Sequence, residues 1–347
     1  MTLGGLRHRP AVIVDCDPGI DDALALLFLA RLHHRGRLRL QAVVTVAGNA
    51  GVACTTRNAR FVLGRAGLRE VPVISGAPGP LAPLPAPVDA LAFHGPDGLG
   101  GHYTAEGLPG LDLLPALDLL PGSGDLATAA SRGAVDGPLA IVDQLRSASA
   151  EGEAVLLALG PLTNVALALE LEPDLHRLTR RVVVMGGAFG NPGGNVTPTA
   201  EFNWYCDPDA ADRVVRSQLP LEVVPLDVTE RVTVVPASLG PLTGDPPATL
   251  AAGLLRSSID LHRAVGYGEL CHVHDALAAA VVAEPDLVRT ERLGVRVSTA
   301  AGDPGRAVFA PSVSGPGVAL AVDADRALGL ILSVIGGQFP APIAPPA

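Results

Sequence analysis

The stretch from Ala11 to Ala30 constrains the fold more than any other part of the chain, because an acidic turn joins two apolar runs there. The first run is β-branched and predicts a buried strand, whereas the second is rich in Ala and Leu and predicts a helix. Pro18 and Gly19 place a tight turn between them. In an open α/β sheet, such a turn lies at the carboxyl ends of the strands, where ligands bind.

This turn gathers four carboxylates, Asp15, Asp17, Asp21 and Asp22, within eight residues. Like charges so close raise one another's pKa values unless a cation or a bound proton intervenes. Carboxylate oxygens suit Ca²⁺ or Mg²⁺, and Ca²⁺ tolerates the irregular geometry of a turn better. The alternative is that Asp21 or Asp22 only caps the following helix. Capping accounts for one or two of the four acids, so we favour a metal or catalytic role.

Strand and helix signals alternate along the rest of the chain. Strand signals at 38–46 and 71–75 flank a helix signal at 52–65, and later strand signals lie at 154–159, 181–187, 221–226, 293–297, 306–310 and 318–322. This rhythm predicts an α/β fold with a doubly wound, mostly parallel open sheet, a Rossmann-like core and helices on both faces. We expect a single domain over residues 1–339, and a disordered tail over the Pro- and Ala-rich residues 340–347.

Composition excludes several classes of protein. The net charge of −10 argues against a nucleic-acid partner, because neutralising phosphates requires a basic surface. The four cysteines lie far apart, so neither a zinc site nor a disulfide framework is indicated. Residues 1–10 lack the apolar segment of an export signal, and the longest strongly apolar run, Ala23 to Ala30, is too short to span a bilayer. We therefore expect a cytoplasmic protein that binds neither nucleic acid nor membrane.

Further polar groups follow other predicted strands. Asn49 lies at the carboxyl end of the second strand, and Gly160-Pro161 leaves the Leu159 carbonyl without a helical partner, free to point at a ligand. His274 and Asp275 occupy a loop-to-helix junction. A capping Asp preceded by a surface His is the alternative for that pair, and it is the better one if the pair is considered alone.

Two long loops carry candidate binding groups. The Pro- and Gly-rich segment 76–124 contains His94, Asp97 and His102, and it is either a lid or a solvated loop with incidental histidines. The loop at 190–205 contains Asn195, Glu201 and Asn203. Amides and carboxylates suit vicinal hydroxyls, although Asn and Glu are also ordinary loop residues.

Taken together and in this order, these motifs resemble the inosine-uridine-preferring nucleoside hydrolases over about Val12 to Ala280. The first motif, from Asp15 to Asp22, is the most specific. The others are Gly48-Asn49, Phe93-His94-Gly95, Gly160-Pro161-Leu162-Thr163-Asn164, Met185-Gly186-Gly187, Glu201-Phe202-Asn203 with Asn195 before it, and His274-Asp275.

The resemblance implies a Ca²⁺ ion held by three carboxylates and one main-chain carbonyl, those of Asp17, Asp22, Asp275 and Leu159. It implies substrate contacts from a second set of residues: Asp21, Asn49, His94, Met185, Asn195, Glu201, Asn203 and His274. Within this set, Asp21 and Asn203 bind the ribose 2′ and 3′ hydroxyls, whereas Asn195 and Glu201 bind the 5′-hydroxyl. Asp15 supports the turn from behind.

The implied reaction is Ca²⁺-dependent hydrolysis of the N-glycosidic bond of ribonucleosides, giving ribose and free base for purine or pyrimidine salvage. Asp17 acts as the general base on a metal-bound water. Carboxylates stabilise the oxocarbenium-like ribosyl centre. His274 is the best candidate to protonate the leaving base, because its ordinary pKa range suits donation near neutrality. The implied partner is a small-molecule ribonucleoside, and the implied assembly a homodimer or homotetramer.

Base preference and two other functions stay open. Purine-specific relatives stack the base between tryptophans, but this chain has only Trp204. A haloacid dehalogenase-type phosphotransferase would use Asp15 and Asp17, although that family expects Thr or Val where Gly19 stands. A non-catalytic calcium-dependent ribose-binding protein would keep the same ligands, but retention of both Asp17 and His274 argues against it.

Overall fold

The computed structural model describes residues 9–84, 90–103, 130–190 and 193–338. The strands are β1 (Ala11–Cys16), β2 (Arg39–Thr45), β3 (Val73–Ser75), β4 (Ala154–Ala158), β5 (Arg181–Met185), β6 (Leu221–Val224), β7 (Thr233–Val234), β8 (Cys271–His272), β9 (Val288–Val297), β10 (Ala307–Pro311) and β11 (Gly317–Val322). The helices are α1 (Ile20–His34), α2 (Val52–Arg65), α3 (Leu91–His94), α4 (Ala130–Glu151), α5 (Thr163–Leu171), α6 (Phe202–Cys206), α7 (Pro208–Val215), α8 (Leu226–Thr229), α9 (Pro246–Ala264), α10 (His274–Ala283) and α11 (Ala324–Ile335).

Nine strands form one sheet in the order β10-β9-β11-β6-β5-β4-β1-β2-β3. Neighbours from β3 through β6 to β11 are parallel, whereas β9 runs antiparallel to both β10 and β11 at one edge. The chain leaves β1 towards β2 and β3, and later builds β4 to β6 on the other side. The predicted doubly wound, mostly parallel sheet is confirmed, and its strand order reverses between β1 and β4, where such sheets bind ligands.

Apolar side chains from both faces of β1 fix the two layers of helices. Val12 and Val14 pack into one cluster with α1, α2, α9, α10 and α11, whereas Ile13 packs into the other with α4, α5 and α7. Helix α1 is buried on nearly all sides, which explains why its Ala/Leu run is uninterrupted. The acidic turn at its start is therefore held between a central strand and a central helix.

Some boundaries differ from the predicted ones. The helix predicted over 236–268 is a short 3₁₀ turn, Pro236–Leu239, followed by α9, at whose start the Asp245 side chain accepts the Ala248 N–H. Strand β9 starts five residues before the predicted 293, because its exposed residues 289–292 are polar and hide the strand pattern. The tail 340–347 and residues 85–89 and 104–124 of the predicted loop lie outside the described residues. Within the described part, no helix is long and apolar enough to cross a membrane.

Candidate active site

A cavity of about 330 Å³ opens at the carboxyl ends of β1, β4 and β5. Ten residues singled out from the sequence line it: Asp21, Asn49, His94, Leu159, Met185, Asn195, Glu201, Asn203, His274 and Asp275. Asp17 and Asp22 are buried behind this wall. Strand register accounts for the convergence: Asp15 of β1 pairs with Ala158 of β4, which brings the acidic turn beside the Leu159 carbonyl.

Asp22 folds back over the turn from which it projects. Its Oδ1 accepts the Asp17 N–H at 3.1 Å, and its Oδ2 accepts the Gly19 N–H at 3.0 Å. The capping alternative therefore applies to Asp22. Its Oδ2 also accepts from the Asn49 side-chain amide at 3.2 Å, so the same carboxylate joins the cap to the cavity wall.

Asp17 occupies a tightly walled position. Its Oδ2 accepts the Asn49 N–H at 2.7 Å, whereas its Oδ1 is buried without a hydrogen-bond partner among the described residues. A Cβ added at Gly160 would lie 2.5 Å from Oδ1, and one added at Gly48 would overlap Oδ2. Glycine at both positions leaves the space that the carboxylate occupies. A buried anionic oxygen without a donor calls for a proton or a cation.

Negative charge accumulates around this point. Carboxylate oxygens of Asp21, Asp22 and Asp275 lie within 4.8 Å of one another. Burial, together with the neighbouring carboxylates, raises the pKa of Asp22 to about 7 and the pKa values of Asp17 and Asp275 well above their usual range. The sequence predicted that neighbouring carboxylates raise one another's pKa values, and this direction holds for Asp17 and Asp22, whereas the raised pKa of Asp15 comes from burial. Only a positive charge would allow all these groups to ionise together.

Asp15 has a different environment. It is fully buried, and its Oδ1 accepts from the Asn164 amide at 2.7 Å. The same amide nitrogen donates to the Thr45 carbonyl, and Asn164 Oδ1 accepts the Ala77 N–H. Burial raises the pKa of Asp15 to about 7. Asp15 thus ties neighbouring strands together behind the site, and it is not among the residues that line the cavity. A phosphotransferase nucleophile would have to reach substrate, so this geometry argues against that alternative.

The loop before α6 is bound to the ends of β4 and β5. Glu201 accepts the N–H groups of Asn203 and Trp204 as the cap of α6, and the Gly187 N–H at 2.9 Å. Asn203 donates from its amide nitrogen to the Leu159 carbonyl at 2.7 Å and to the Met185 carbonyl at 3.3 Å. The Leu159 carbonyl predicted to be free therefore already accepts one bond. Burial raises the pKa of Glu201 to about 7.

Two histidines enter the cavity with fixed rings. The Ile20 N–H donates to Nδ1 of His94 at 3.1 Å, so the proton of a neutral His94 ring is on Nε2. Nδ1 of His274 lies 2.8 Å from the Thr229 hydroxyl. Burial lowers the pKa of His94, and it lowers the pKa of His274 to about 4. The expectation that His274 retains an ordinary pKa is therefore wrong: its imidazole is neutral at pH 7.

Rings form the far wall of the cavity. Phe93, His262 and Tyr267 stand edge to face with centroids 5.9 to 6.1 Å apart, and His272 lies 5.5 Å from His274. Trp204, in contrast, is fully buried against Phe189, so it cannot stack on a base. Sequence reasoning missed four residues of this region: Thr229, Glu230, Ser258 and His262. The one available signal was the pair Ser258 and His262, which four-residue spacing places on one face of α9.

Hydrogen bonds hold residues 90–103 of the loop predicted as a lid in a fixed shape. Asp97 accepts three N–H groups of its own loop, those of Leu99, Gly101 and Tyr103. His102 is hydrogen-bonded to the Ser257 hydroxyl at 2.9 Å. Asp97 and His102 therefore shape the loop, and of the three predicted polar residues only His94 lines the cavity.

This combination of a doubly wound sheet, buried carboxylates at its switch point and a polar cavity of small-molecule size defines an α/β enzyme. The sequence matches the family described as inosine-uridine preferring nucleoside hydrolase over residues 12–328, and the chain belongs to that family. It is an N-ribosyl hydrolase.

Similar proteins agree with this placement. The chain is 35% identical to the non-specific ribonucleoside hydrolase RihC of Escherichia coli (strain K12 / DH10B), with 84% of each chain covered. It is 34% identical to the uncharacterized protein C1683.06c of Schizosaccharomyces pombe, over 83% of this chain and 84% of that protein. The fold matches a plant nucleoside hydrolase, PpNRh1, with a TM-score of 0.79, 27% identity and coverage of 95% and 99%. It also matches a purine-preferring ribonucleoside hydrolase from Gardnerella vaginalis, with a TM-score of 0.77, 26% identity and coverage of 94% and 98%.

Proposed function

We propose that this chain hydrolyses the N-glycosidic bond of ribonucleosides in a Ca²⁺-dependent reaction and releases ribose and free base. The observation that carries the proposal is the set of groups gathered at one cavity: a cluster of buried carboxylates, the polar side chains of Asn49, Asn195, Glu201 and Asn203, and a group of imidazole and aromatic rings. Relatives named as ribonucleoside hydrolases support the substrate class.

The residues present fit a divalent cation. Asp17 has an unpartnered buried oxygen, and three further carboxylates lie close together beside it. We assign the ion to Asp17, Asp22, Asp275 and the Leu159 carbonyl, with Asp21 at the edge of the cluster. An all-oxygen set favours Ca²⁺ over Zn²⁺. When bound, the ion would neutralise the cluster and lower the pKa of an adjacent water.

The protein side chains then divide the chemistry. Asp17 accepts the proton of the attacking water, whose oxygen forms the new bond to C1′ of the ribose. The bond from C1′ to the base breaks, and its electron pair leaves with the base. Positive charge that develops on the ribosyl ring faces the carboxylates of Asp21 and its neighbours, which stabilise it.

His274 assists the departing base as a neutral hydrogen-bond donor. When the Thr229 hydroxyl donates to Nδ1, the ring proton is on Nε2, the nitrogen left for the ligand. A neutral N–H group stabilises the electron pair arriving on the base without first requiring an imidazolium. His94 presents a second Nε2–H into the same cavity.

The direct test is to incubate the purified protein with uridine and inosine and to quantify free ribose and base by chromatography. We expect ribose release from both substrates. A protein that binds either nucleoside without releasing ribose would be the ribose-binding alternative. Loss of phosphate from phosphorylated substrates, with no ribose from nucleosides, would instead indicate the phosphotransferase.

Metal removal is expected to inactivate the enzyme, and Ca²⁺ to restore it. Adding Ca²⁺ back to the metal-free protein is also expected to raise Tm, because a cation relieves repulsion among the buried carboxylates. At Ca²⁺ about 100-fold above Kd, the stabilisation is about 2.7 kcal/mol. Activity and Tm are measured on chelator-treated protein with Ca²⁺, Mg²⁺ or Zn²⁺ added back. Restoration by Zn²⁺ alone would contradict the assigned oxygen site.

Three expectations from the sequence stay predictions: one domain over residues 1–339, a homodimer or homotetramer, and a cytoplasmic location. Size-exclusion chromatography with light scattering measures the assembly. Cell fractionation measures the location.

A further inference from the structure

A loop of the antiparallel sheet edge contacts the loop that carries the proposed ribose-binding groups. We define the hairpin loop as residues 298–306, between β9 and β10, and the sugar loop as residues 193–205. The Thr199 hydroxyl donates to Asp303 Oδ1 at 2.6 Å. Ala200, the next residue, forms an isolated antiparallel bridge with Arg306. The two loops are therefore joined by one side-chain hydrogen bond and one main-chain bridge, at the two residues that precede Glu201.

Gly305 brings the hairpin loop close against the backbone of α6. A Cβ added there would lie 2.7 Å from the Tyr205 Cα and 3.0 Å from the Trp204 carbonyl carbon. Gly305 also has a φ of 79°, a conformation that favours glycine. The hairpin loop therefore packs directly against the main chain of α6, the helix that Glu201 caps.

The hairpin loop has its own anchors, so it can hold the sugar loop in place. Its ends are joined by the bond from the Gly305 N–H to the Ser298 carbonyl at 2.8 Å. Arg306 pairs with Asp303 at 3.2 Å. At the base of the hairpin, Asp212 of α7 accepts the Val297 N–H at 3.0 Å. The support therefore extends from α7 through β9 to Asp303.

Hydrogen bonds within the sugar loop connect Thr199 to the side chains proposed to bind substrate. Thr197 accepts the Ala200 N–H on its hydroxyl at 3.0 Å. Asn195 accepts the Phe202 N–H at 2.9 Å, which closes the sugar loop upon itself around residues 197–200. A shift at Thr199 would consequently move Asn195 and Glu201, which both line the cavity.

We propose that the hairpin loop positions the sugar loop, with Asp303 acting through Thr199 as a positioning residue for the end of the substrate that carries the 5′-hydroxyl. The inference rests on the proposed function, because it takes Asn195 and Glu201 as the groups that bind this hydroxyl. Asp303 itself touches no substrate. Its role is to keep those two side chains in a binding geometry before the substrate arrives.

The test compares Thr199→Val, which removes the hydroxyl, with Thr199→Ser, which retains it. Thr199→Val is expected to raise KM for uridine by about 3- to 10-fold, the worth of one hydrogen bond, and to change kcat by less than about 2-fold. KM for 5′-deoxyuridine is expected to stay unchanged, because that substrate does not use the positioned groups. Thr199→Ser is expected to restore the wild-type KM.

A second measurement does not depend on activity. Trp204 is the one tryptophan in the sequence and is fully buried: its backbone lies against Gly305, and its indole packs against Gly187 and Phe189. Loosening the contact should expose it, so Asp303→Ala and Thr199→Val are expected to increase quenching of its fluorescence by acrylamide. Ser312→Ala is the matched control: among the described residues its hydroxyl accepts only the Ser314 N–H, and it lies beyond the other end of β10.

The outcomes separate this inference from the proposed function. Unchanged quenching and unchanged KM in Thr199→Val would overturn the positioning role. Equal losses with uridine and 5′-deoxyuridine would also overturn it, because they would indicate general destabilisation. If the wild-type protein releases no ribose, the proposed function fails and with it the role towards the 5′-hydroxyl, whereas increased quenching in Thr199→Val would still establish the contact between the loops.

Discussion

Asp17→Asn is expected to lower kcat for uridine by about 10²- to 10⁴-fold, the usual contribution of a general base. The amide oxygen can still accept the Asn49 N–H, so the turn keeps its shape. The amide cannot accept a proton from water, however, and it is a weaker metal ligand. Removing one negative charge from a buried, repelling cluster is not expected to destabilise the fold.

The matched control for this variant is Asp143→Asn, which makes the same change at an exposed carboxylate paired with Arg146. It is expected to retain wild-type turnover. Steady-state kinetics with uridine and thermal unfolding of both variants provide the comparison. Turnover near the wild-type level in Asp17→Asn would remove Asp17 from the mechanism, whereas a large fall in its Tm would mean that the carboxylate is needed for folding.

The parts of the site that could be predicted are those in which a residue and its structural context are neighbours in sequence. Asp17 and Leu159 each follow a strand directly, Asn49 comes four residues after one, and parallel strands bring their carboxyl ends to one edge. The strand and helix patterns around them are local. Sequence alone was therefore enough to place these residues at one site and to predict the sheet that brings them together.

The far wall of the cavity could not be predicted in the same way. Glu230, Ser258 and His262 come from the end of α8 and from α9, whose packing over the sheet is set by contacts distant in sequence. In a sequence, polar residues on a helix are indistinguishable from a solvated face. A sequence also does not show which side chains are buried. The lowering of the His274 pKa to about 4 is caused by burial, so it could be found only from the structure.

The alternatives weighed for the acidic turn also prove to be compatible. Asp22 accepts turn N–H groups as a cap and still belongs to the carboxylate cluster. Glu201 is likewise both the cap of α6 and a residue of the cavity wall. Capping fixes the orientation of a carboxylate, and a fixed carboxylate is better suited to binding than a mobile one.

The ribose hydroxyls are expected to be recognised more strictly than the base. Asp21 lines the cavity beside Asp22 and Asp275, so a missing 2′-hydroxyl would leave that cluster without its polar partner. The Asn203 amide nitrogen already donates to the Leu159 and Met185 carbonyls, so Asn203 offers a hydroxyl chiefly its Oδ1 as an acceptor. Sites built to pair with a hydroxyl reject the analogue that lacks it, because their buried polar groups are left unpaired.

The base is surrounded by a different kind of wall. Phe93, Tyr267 and neutral imidazoles offer ring faces and single N–H donors, which purines and pyrimidines can both use. We therefore expect 2′-deoxyuridine to lose about 10²-fold or more in kcat/KM relative to uridine. The difference between uridine and inosine should be smaller than that, and measuring kcat/KM for all three substrates decides the matter. If the change of base matters more than the loss of the hydroxyl, the main selectivity of this enzyme lies in the ring wall and not in the residues around the sugar.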